Sequence, residues 1–479
     1  MKSRPLLAAD GFMATRRWLC LTSVSIGAWV TQSCGSTAAA DVTTQPPAPQ
    51  VASAVKISGA VDSLSQLESM HLAVKALTAD GVTITNPTVQ WKSVDERIAT
   101  ADNAGVVLAR KPGIVRIIGQ VNAVADTVSV AVRMKWLLVT TGVLGRISCG
   151  IGGDSTAYCW GDPFVTPGPA NQTIPHEVSS TLRFASVSIG AGHACGLTGA
   201  GIVYCWGVNT SGQLGDATRD SSAVPVRAKL ELPATQVAAG FGVTCALVAS
   251  GDVYCWGSNS SGQAGHIPLD AAETLITPTK VGGMSPIASI SISGFHGCAV
   301  ARSLEGYCWG MNIWATIGDG TSGNIRNATR VAGLTFRTLS AGFDATCGAT
   351  VSSGVYCWGD RNQEGFPYYR TPQPLPQTIA AIGASVGNFH RCYWSLQGVW
   401  CWGANNFGQL GAPSASFVAS PIAVTGGDRF VSASAGDEGT CALSRAGDAY
   451  CWGANAAGEV GDGTRVVRVV PTRVVDPPL

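Results

Sequence analysis

One tripeptide constrains this chain more than any other feature. Cys-Trp-Gly begins at Cys159, Cys205, Cys255, Cys308, Cys357, Cys401 and Cys451, in steps of 46, 50, 53, 49, 44 and 50 residues. A recurrence of that length means a solenoid, an array or a propeller, in which each unit buries its apolar face only against its neighbours. Every Cys-Trp-Gly has an earlier partner: Cys149, Cys195, Cys245, Cys298, Cys347, Cys392 and Cys441, ten residues upstream in six units and nine in the sixth. These pairs use all the cysteines except Cys20 and Cys34 near the N-terminus.

The spacing has a geometric meaning. From Cys195 to Cys205 the chain is symmetric about Ala200, inside Gly199-Ala200-Gly201. Two strands folded about that turn bring the cysteines face to face. A non-hydrogen-bonded antiparallel pair sets its Cα atoms about 4.5 Å apart, within reach of a disulfide. The shorter sixth unit needs only a turn with one residue fewer. Disulfides Cys149–Cys159, Cys195–Cys205, Cys245–Cys255, Cys298–Cys308, Cys347–Cys357, Cys392–Cys401 and Cys441–Cys451 are the expectation, each contributing roughly 2–3 kcal/mol in the chain-entropy model. Buried free thiols and a metal site are the other readings. Zinc fits poorly, because its ligand cysteines come as closely spaced pairs with a second pair nearby.

The rest of the unit repeats as well. A strand ending in glycine precedes the first cysteine, as in Val187–Gly190, Val237–Gly240 and Leu339–Gly342. An asparagine and a tight turn follow Cys-Trp-Gly: Asn209 with Gly212-Gln213-Leu214-Gly215, Asn259 with Gly262-Gln263-Ala264-Gly265, Asn405 with Gly408-Gln409-Leu410-Gly411, and Asn455 with Gly458-Glu459-Val460-Gly461. Four short strands in such a unit make one propeller blade, and a closed ring protects the sheet edges. The pattern Gly-x-x-His-x-Cys-x-Leu … Gly-x-Val-Tyr-Cys-Trp-Gly-x-Asn-x-x-Gly-Gln-Leu-Gly resembles the regulator of chromosome condensation repeat family. The resemblance covers residues 137–475 and implies a seven-bladed β-propeller. Three units depart from it. Gly161-Asp162-Pro163 replaces Gly-x-Asn in the first; the fourth and fifth carry Ile317-Gly318-Asp319-Gly320 and Gln363-Glu364-Gly365 in place of Gly-Gln-Leu-Gly.

The expected fold class is all-β: this propeller preceded by a small immunoglobulin-like β-sandwich. Residues 51–133 alternate β-prone runs with turns, and Leu72, Val74 and Ala76 share one strand face. Val89-Gln90-Trp91-Lys92-Ser93, Ile98-Ala99-Thr100, Asn103–Val107 and Pro112-Gly113 are similar to the bacterial immunoglobulin-like domain, group 2, which implies a surface spacer or adhesion module; Trp91 is expected to fill its core, a carbohydrate platform being the other reading. Upstream, Arg16-Arg17 precede a short apolar stretch, Trp18–Val30, of signal-peptide rather than membrane-spanning length. Residues 1–34 thus read as a signal peptide starting at Met1 or Met13. Either Cys34 is a lipidation site, as in a lipoprotein, or cleavage after Ala38-Ala39-Ala40 frees a secreted chain. Residues 35–50 read as a flexible linker.

Lys and Arg total 31 against 30 Asp and Glu, only 13% of the chain is charged, and no basic stripe suggests nucleic acid. Candidate chemistry is sparse. Gly383-Ala384-Ser385-Val386-Gly387 spells a nucleophile elbow, but that motif needs a strand-turn-helix setting, and Gly387 is the glycine that ends a repeat strand. His193, His296 and His390 share one repeat position on separate units, so they read as hydrogen-bonded structural groups rather than ligands that converge. Asp319 and Asp462, each in Gly-Asp-Gly-Thr, read as turn residues. The Cys-Trp-Gly tryptophans are expected between blades.

Catalytic, cofactor-binding and metal residues are therefore none. The expectation from sequence is an exported, non-enzymatic binding protein of the cell envelope or the medium. Its propeller recognises an extracellular protein or glycan, without nucleic acid, and meets membrane only through a lipid. A glycan-active propeller enzyme and a structural adhesion component are the alternatives. The family's nuclear member exchanges guanine nucleotide on a small GTPase; that activity is set aside for an exported chain with no wedge-like insertion.

Overall fold

The computed structural model describes residues 50–143, 146–162, 172–265, 274–323, 326–359, 369–376 and 380–478. The signal peptide expected over 1–34, its Cys34 and nearly all of the linker lie outside them. Among the described residues no helix is long and apolar enough to cross a membrane.

Nine short strands precede the repeats: β1 (Ala54–Ser58), β2 (Ser63–Ser65), β3 (Ser69–His71), β4 (Ala73–Leu77), β5 (Gln90–Ser93), β6 (Ala99–Ala101), β7 (Val106–Ala109), β8 (Gly113–Val121) and β9 (Val124–Arg133). β1 pairs with β4, β2-β9-β8-β5 form a second sheet and β3-β7-β6 a third. Leu64, Met70, Leu72, Ile98, Val107, Val115, Ile117, Val130 and Val132 make their common core. Trp91 packs against it half-buried rather than at its centre. Its ring lies over glycines: a methyl group on Gly119 would stand 2.8 Å from Trp91 Cζ3.

From Trp136 onward the chain builds blades. The second shows the plan, with antiparallel strands Phe184–Ile189, His193–Thr198, Val203–Gly207 and Ser222–Arg227 running from the axis outward. Five such four-stranded sheets and one of seven strands make the ring; in the latter the long strand Arg326–Ala341 is both the outer strand of blade 4 and the inner strand of blade 5. The ring therefore has seven blades. In each, the paired cysteines are direct cross-strand partners. All seven pairs are joined, with Cα atoms 4.0–4.1 Å apart. In blade 6 the turn tightens to Ser395 opposite Gly398, which absorbs the missing residue.

Apolar burial is divided among the seams. Each neighbouring pair of blades shares one cluster; Ile147, Cys149, Phe184, Ile189 and Trp206 fill the first seam. The Cys-Trp-Gly tryptophans are buried there and reach across. Trp256 Nε1 donates to Gln213 O, Trp309 to Gln263 O, Trp358 to Thr316 O and Trp452 to Gln409 O, at 2.9–3.0 Å. The receiving carbonyl sits in the tight turn after the third strand of the preceding blade. The repeat asparagine shapes that turn: Asn209 Oδ1 accepts from Leu214 N at 2.9 Å and Asn405 Oδ1 from Leu410 N at 3.0 Å.

Blade 4 keeps the turn without the motif. Its turn is present despite different letters. Asn312 Oδ1 accepts from Ile317 N at 3.0 Å, and Ala315 takes the left-handed backbone (φ 58°) that glycine takes elsewhere. The asparagine and the terminal Gly318 fix the turn, so Gly-Gln-Leu is dispensable. The fifth turn, at Gln363-Glu364-Gly365, lies outside the described residues.

No strand is exchanged across the closure. All four strands of blade 1 come from one end of the repeat region and all four of blade 7 from the other. The seam is closed by contacts instead. Trp160 Nε1 and Ser148 Oγ both donate to Glu459 O at 2.9 Å, and Trp136 N donates to Gly447 O at 2.7 Å. Nearby, Gln66, just after β2, accepts from Gly153 N of blade 1 at 3.1 Å, and Asp476 accepts from Met134 N at 3.1 Å.

Candidate docking face

The inner strands all run the same way along the axis. The loops joining first to second strand therefore gather at one mouth of the channel, and the cysteine hairpins at the other. A belt of inner-strand hydroxyls ties the blades below the loop mouth. Ser188, Ser291, Ser340, Ser385 and Ser434 Oγ accept from the backbone N–H of Ala239, Ala341, Val386, Ala435 and Thr141, each on the next blade, at 2.9–3.2 Å. Ser385, the would-be nucleophile, is thus a strand residue engaged in this belt.

The three histidines anchor alternate loops. His193 Nε2 meets Thr244 Oγ1 at 2.8 Å, and Thr244 donates onward to Gln213 O at 2.8 Å. His296 with Thr346 and Thr316 O, and His390 with Thr440 and Gln409 O, repeat this arrangement. Since each threonine proton is spent on a carbonyl, the imidazole supplies the proton between them and is the neutral Nε2–H form. Burial lowers His193 to about 4 and His296 and His390 to about 3. Each imidazole has its own threonine on the following blade, so the three do not converge. Among the described residues no group of histidine, cysteine and carboxylate side chains is placed to hold a metal ion. Asp319 and Asp462 accept from Thr321 and Thr464 within their own turns.

The loops carry what the motif pattern did not reveal. Phe241, Phe295 and Phe343, from the loops of blades 3, 4 and 5, touch in series, with ring centroids 5.7 and 5.2 Å apart. Trp314 stacks on Phe343 at 6.0 Å and reaches Phe295 at 6.3 Å. Phe389 stands in the equivalent loop of blade 6, and Phe241 and Phe389 are 47% and 37% exposed. A contiguous cluster of partly exposed aromatics, Phe241 at its edge, marks an interaction surface rather than scattered apolar residues. Blade 7 replaces these aromatics with Asp437 and Glu438. Burial raises both carboxyls above the usual range, against the pull of Arg146 on blade 1. The phenylalanines stand three or four residues before the first cysteine of each unit, a position visible once the units are aligned on that cysteine.

The fold and this face define a seven-bladed β-propeller with a loop-bearing mouth. The fold is that of RCC1 repeats. The description "Regulator of chromosome condensation (RCC1) repeat" matches residues 184–213, 234–263 and 430–459 in one form and 200–247, 250–300 and 398–443 in another. The Ultraviolet-B receptor UVR8 of Arabidopsis thaliana is 30% identical over 221 residues, 43% of this chain and 48% of that protein. The probable E3 ubiquitin-protein ligase HERC4 of Homo sapiens is 26% identical over 163 residues, 31% of this chain and 15% of that protein. This chain thus aligns with less than half of either relative. Prp20p of Saccharomyces cerevisiae superposes with TM-score 0.60 at 21% identity, covering 66% of this chain and 85% of that one. Human WBSCR16 gives 0.59 at 20%, covering 66% and 91%.

These likenesses correct the expectations of place and activity. Prp20p is known for binding Gsp1p and histones, and yeast RCC1 (Prp20) has also been solved bound to Kap60. Secreted or cell-envelope location, lipoprotein character, an extracellular protein or glycan partner, the exclusion of nucleic-acid-associated partners and a non-enzymatic role do not stand against them. Those expectations rested on an N-terminal stretch outside the described residues and on paired cysteines. Neither determines what the loop mouth receives.

Proposed function

We propose that this chain is an intracellular protein-docking propeller whose loop mouth receives a folded partner, in the first instance a small GTPase, and that docking speeds guanine-nucleotide release. The aromatic arc of Phe241, Phe295, Phe343, Trp314 and Phe389 carries the reading. Such side chains supply large contact area with few rotors to freeze, and they dominate binding energy at protein interfaces. The arc stands on loops whose bases are fixed by disulfides, hydroxyl belt and His–Thr bonds, so little ordering cost remains on binding. The shared ring of Prp20p, a binder of Gsp1p, supports the choice of partner class. In this reading residues 51–133 are an immunoglobulin-like spacer beside the 137–475 ring.

The test uses the full chain and a panel of small GTPases loaded with fluorescent GDP. At least one member is expected to bind and to release nucleotide about tenfold faster. The double variant F295S/F343S is expected to lose that effect while its thermal midpoint stays near that of the parent. If no GTPase binds, or if the variant performs like the parent, the reading fails.

A further inference from the structure

The loop mouth has a second, polar sector, at the seam of blades 6, 7 and 1. In the tight turns of blades 2, 3 and 6 the third-from-last position of the motif is glutamine: Gln213, Gln263 and Gln409. Gln263 shows the purpose of both ends of the amide. Its Oε1 accepts from Ser261 N at 2.8 Å and its Nε2 donates to Ser258 Oγ at 3.1 Å. Blade 7 has Glu459 at this position. Glu459 Oε2 keeps the first bond, accepting from Ala457 N at 2.7 Å. The other oxygen, Oε1, is buried with no donor, although the residue is only 7% exposed. Replacing an amide NH2 by oxygen has left an acceptor where a donor stood.

The surroundings repeat the deficit. Glu438 is near enough for its charge to be felt at Glu459. Asp437 precedes it and accepts from Asn388 Nδ2 at 2.8 Å, while Asn388 Oδ1 is buried and also lacks a donor. Among the described residues Arg146 is the one cation whose charge reaches all three carboxyls. An unmet buried acceptor is costly, and a charge-assisted donor satisfies it best.

We propose that Asp437, Glu438, Glu459 and Asn388 Oδ1 form a seat for a basic side chain of the docked partner, a guanidinium for preference. The partner segment then pairs an apolar residue on the aromatic arc with an arginine at blade 7. The inference rests on the docking role given to the loop mouth and adds the chemistry of what docks.

The test uses short peptides of alternating arginine and phenylalanine, and twins in which citrulline, uncharged and of the same shape, replaces arginine. Calorimetry on the full chain is expected to show the arginine peptide binding about tenfold tighter than its twin. E459Q, which restores the residue of blades 2, 3 and 6, is expected to abolish the difference and keep the thermal midpoint. F343S is expected to weaken both peptides alike. Equal binding of the two peptides, or a preference that survives in both E459Q and D437N, overturns the seat while leaving the aromatic docking role intact. Failure of both peptides to bind overturns both.

Discussion

Gly411 shows how a single atom sets the seam. Its φ is +69°, and a methyl group there would stand 2.6 Å from Trp452 Nε1, the atom that donates to Gln409 O. Gly215 and Gly461 face Trp256 and Trp160 in the same way. Gly411→Ala therefore meets backbone strain and displaces a buried indole; its expected cost is about 2–3 kcal/mol in chemical denaturation. A loss below about half a kcal/mol would contradict this geometry. The buried imidazoles act at the same scale. Folding lowers His193 from the ordinary 6.5 to about 4, so between these values the unfolded chain binds the extra proton. The stability this neutral histidine secures is whole above pH 6.5 and is lost as pH falls toward 4. The stability gap between the parent and His193→Gln is thus expected to shrink on acidification by on the order of 3 kcal/mol. A gap constant from pH 7 to 4 would contradict the assigned neutral form.

At the scale of the strand and turn, each hairpin is its own stapled unit. The double replacement Cys245→Ser with Cys255→Ser opens one short loop in a ring that keeps six others. A loss of about 2–4 kcal/mol is expected, with the ring still assembled by hydrodynamic size. Much of this scale was legible in the sequence. Cysteine spacing placed the cross-strand pair, because a hairpin's symmetry is a matter of counting residues about its turn. The turn of blade 4 was not legible. It depends on Asn312 and Gly318 at the right separation and on Ala315 accepting a left-handed backbone, which no letter in the motif records. The aromatic arc escaped for a different reason: Phe241, Phe295, Phe343 and Trp314 come from three blades, and only the ring brings them together.

At the scale of the molecule, three seams carry a His–Thr bond and four, the closing seam among them, do not. Blades 7 and 1 join the two ends of the repeat region and, like every seam but that of blades 4 and 5, share no strand, and Gly439 occupies the histidine position there. Ser148, in the place of the threonines, still donates to Glu459 O at 2.9 Å. Hydrogen exchange is expected to open this seam first. Amides of Ile147–Gly152 and Gly439–Ser444 are expected to exchange faster than those of Val243–Val248 in blade 3, and Trp160→Phe to widen the difference. Uniform exchange around the ring would show that closure is as strong as any internal seam. The alternation of His and Thr over paired blades cannot close evenly on an odd number, which gives the mismatch a natural place.

The docking claim is tested most directly by mapping where a bound partner shields the ring. With a small GTPase bound to the full chain, hydrogen exchange is predicted to slow in the loops bearing Phe241, Phe295, Phe343, Phe389 and Asp437, and to stay unchanged in the cysteine hairpins at the opposite mouth. Protection confined to those hairpins or to the 54–133 strands, with the aromatic loops exchanging as in the free chain, would contradict it.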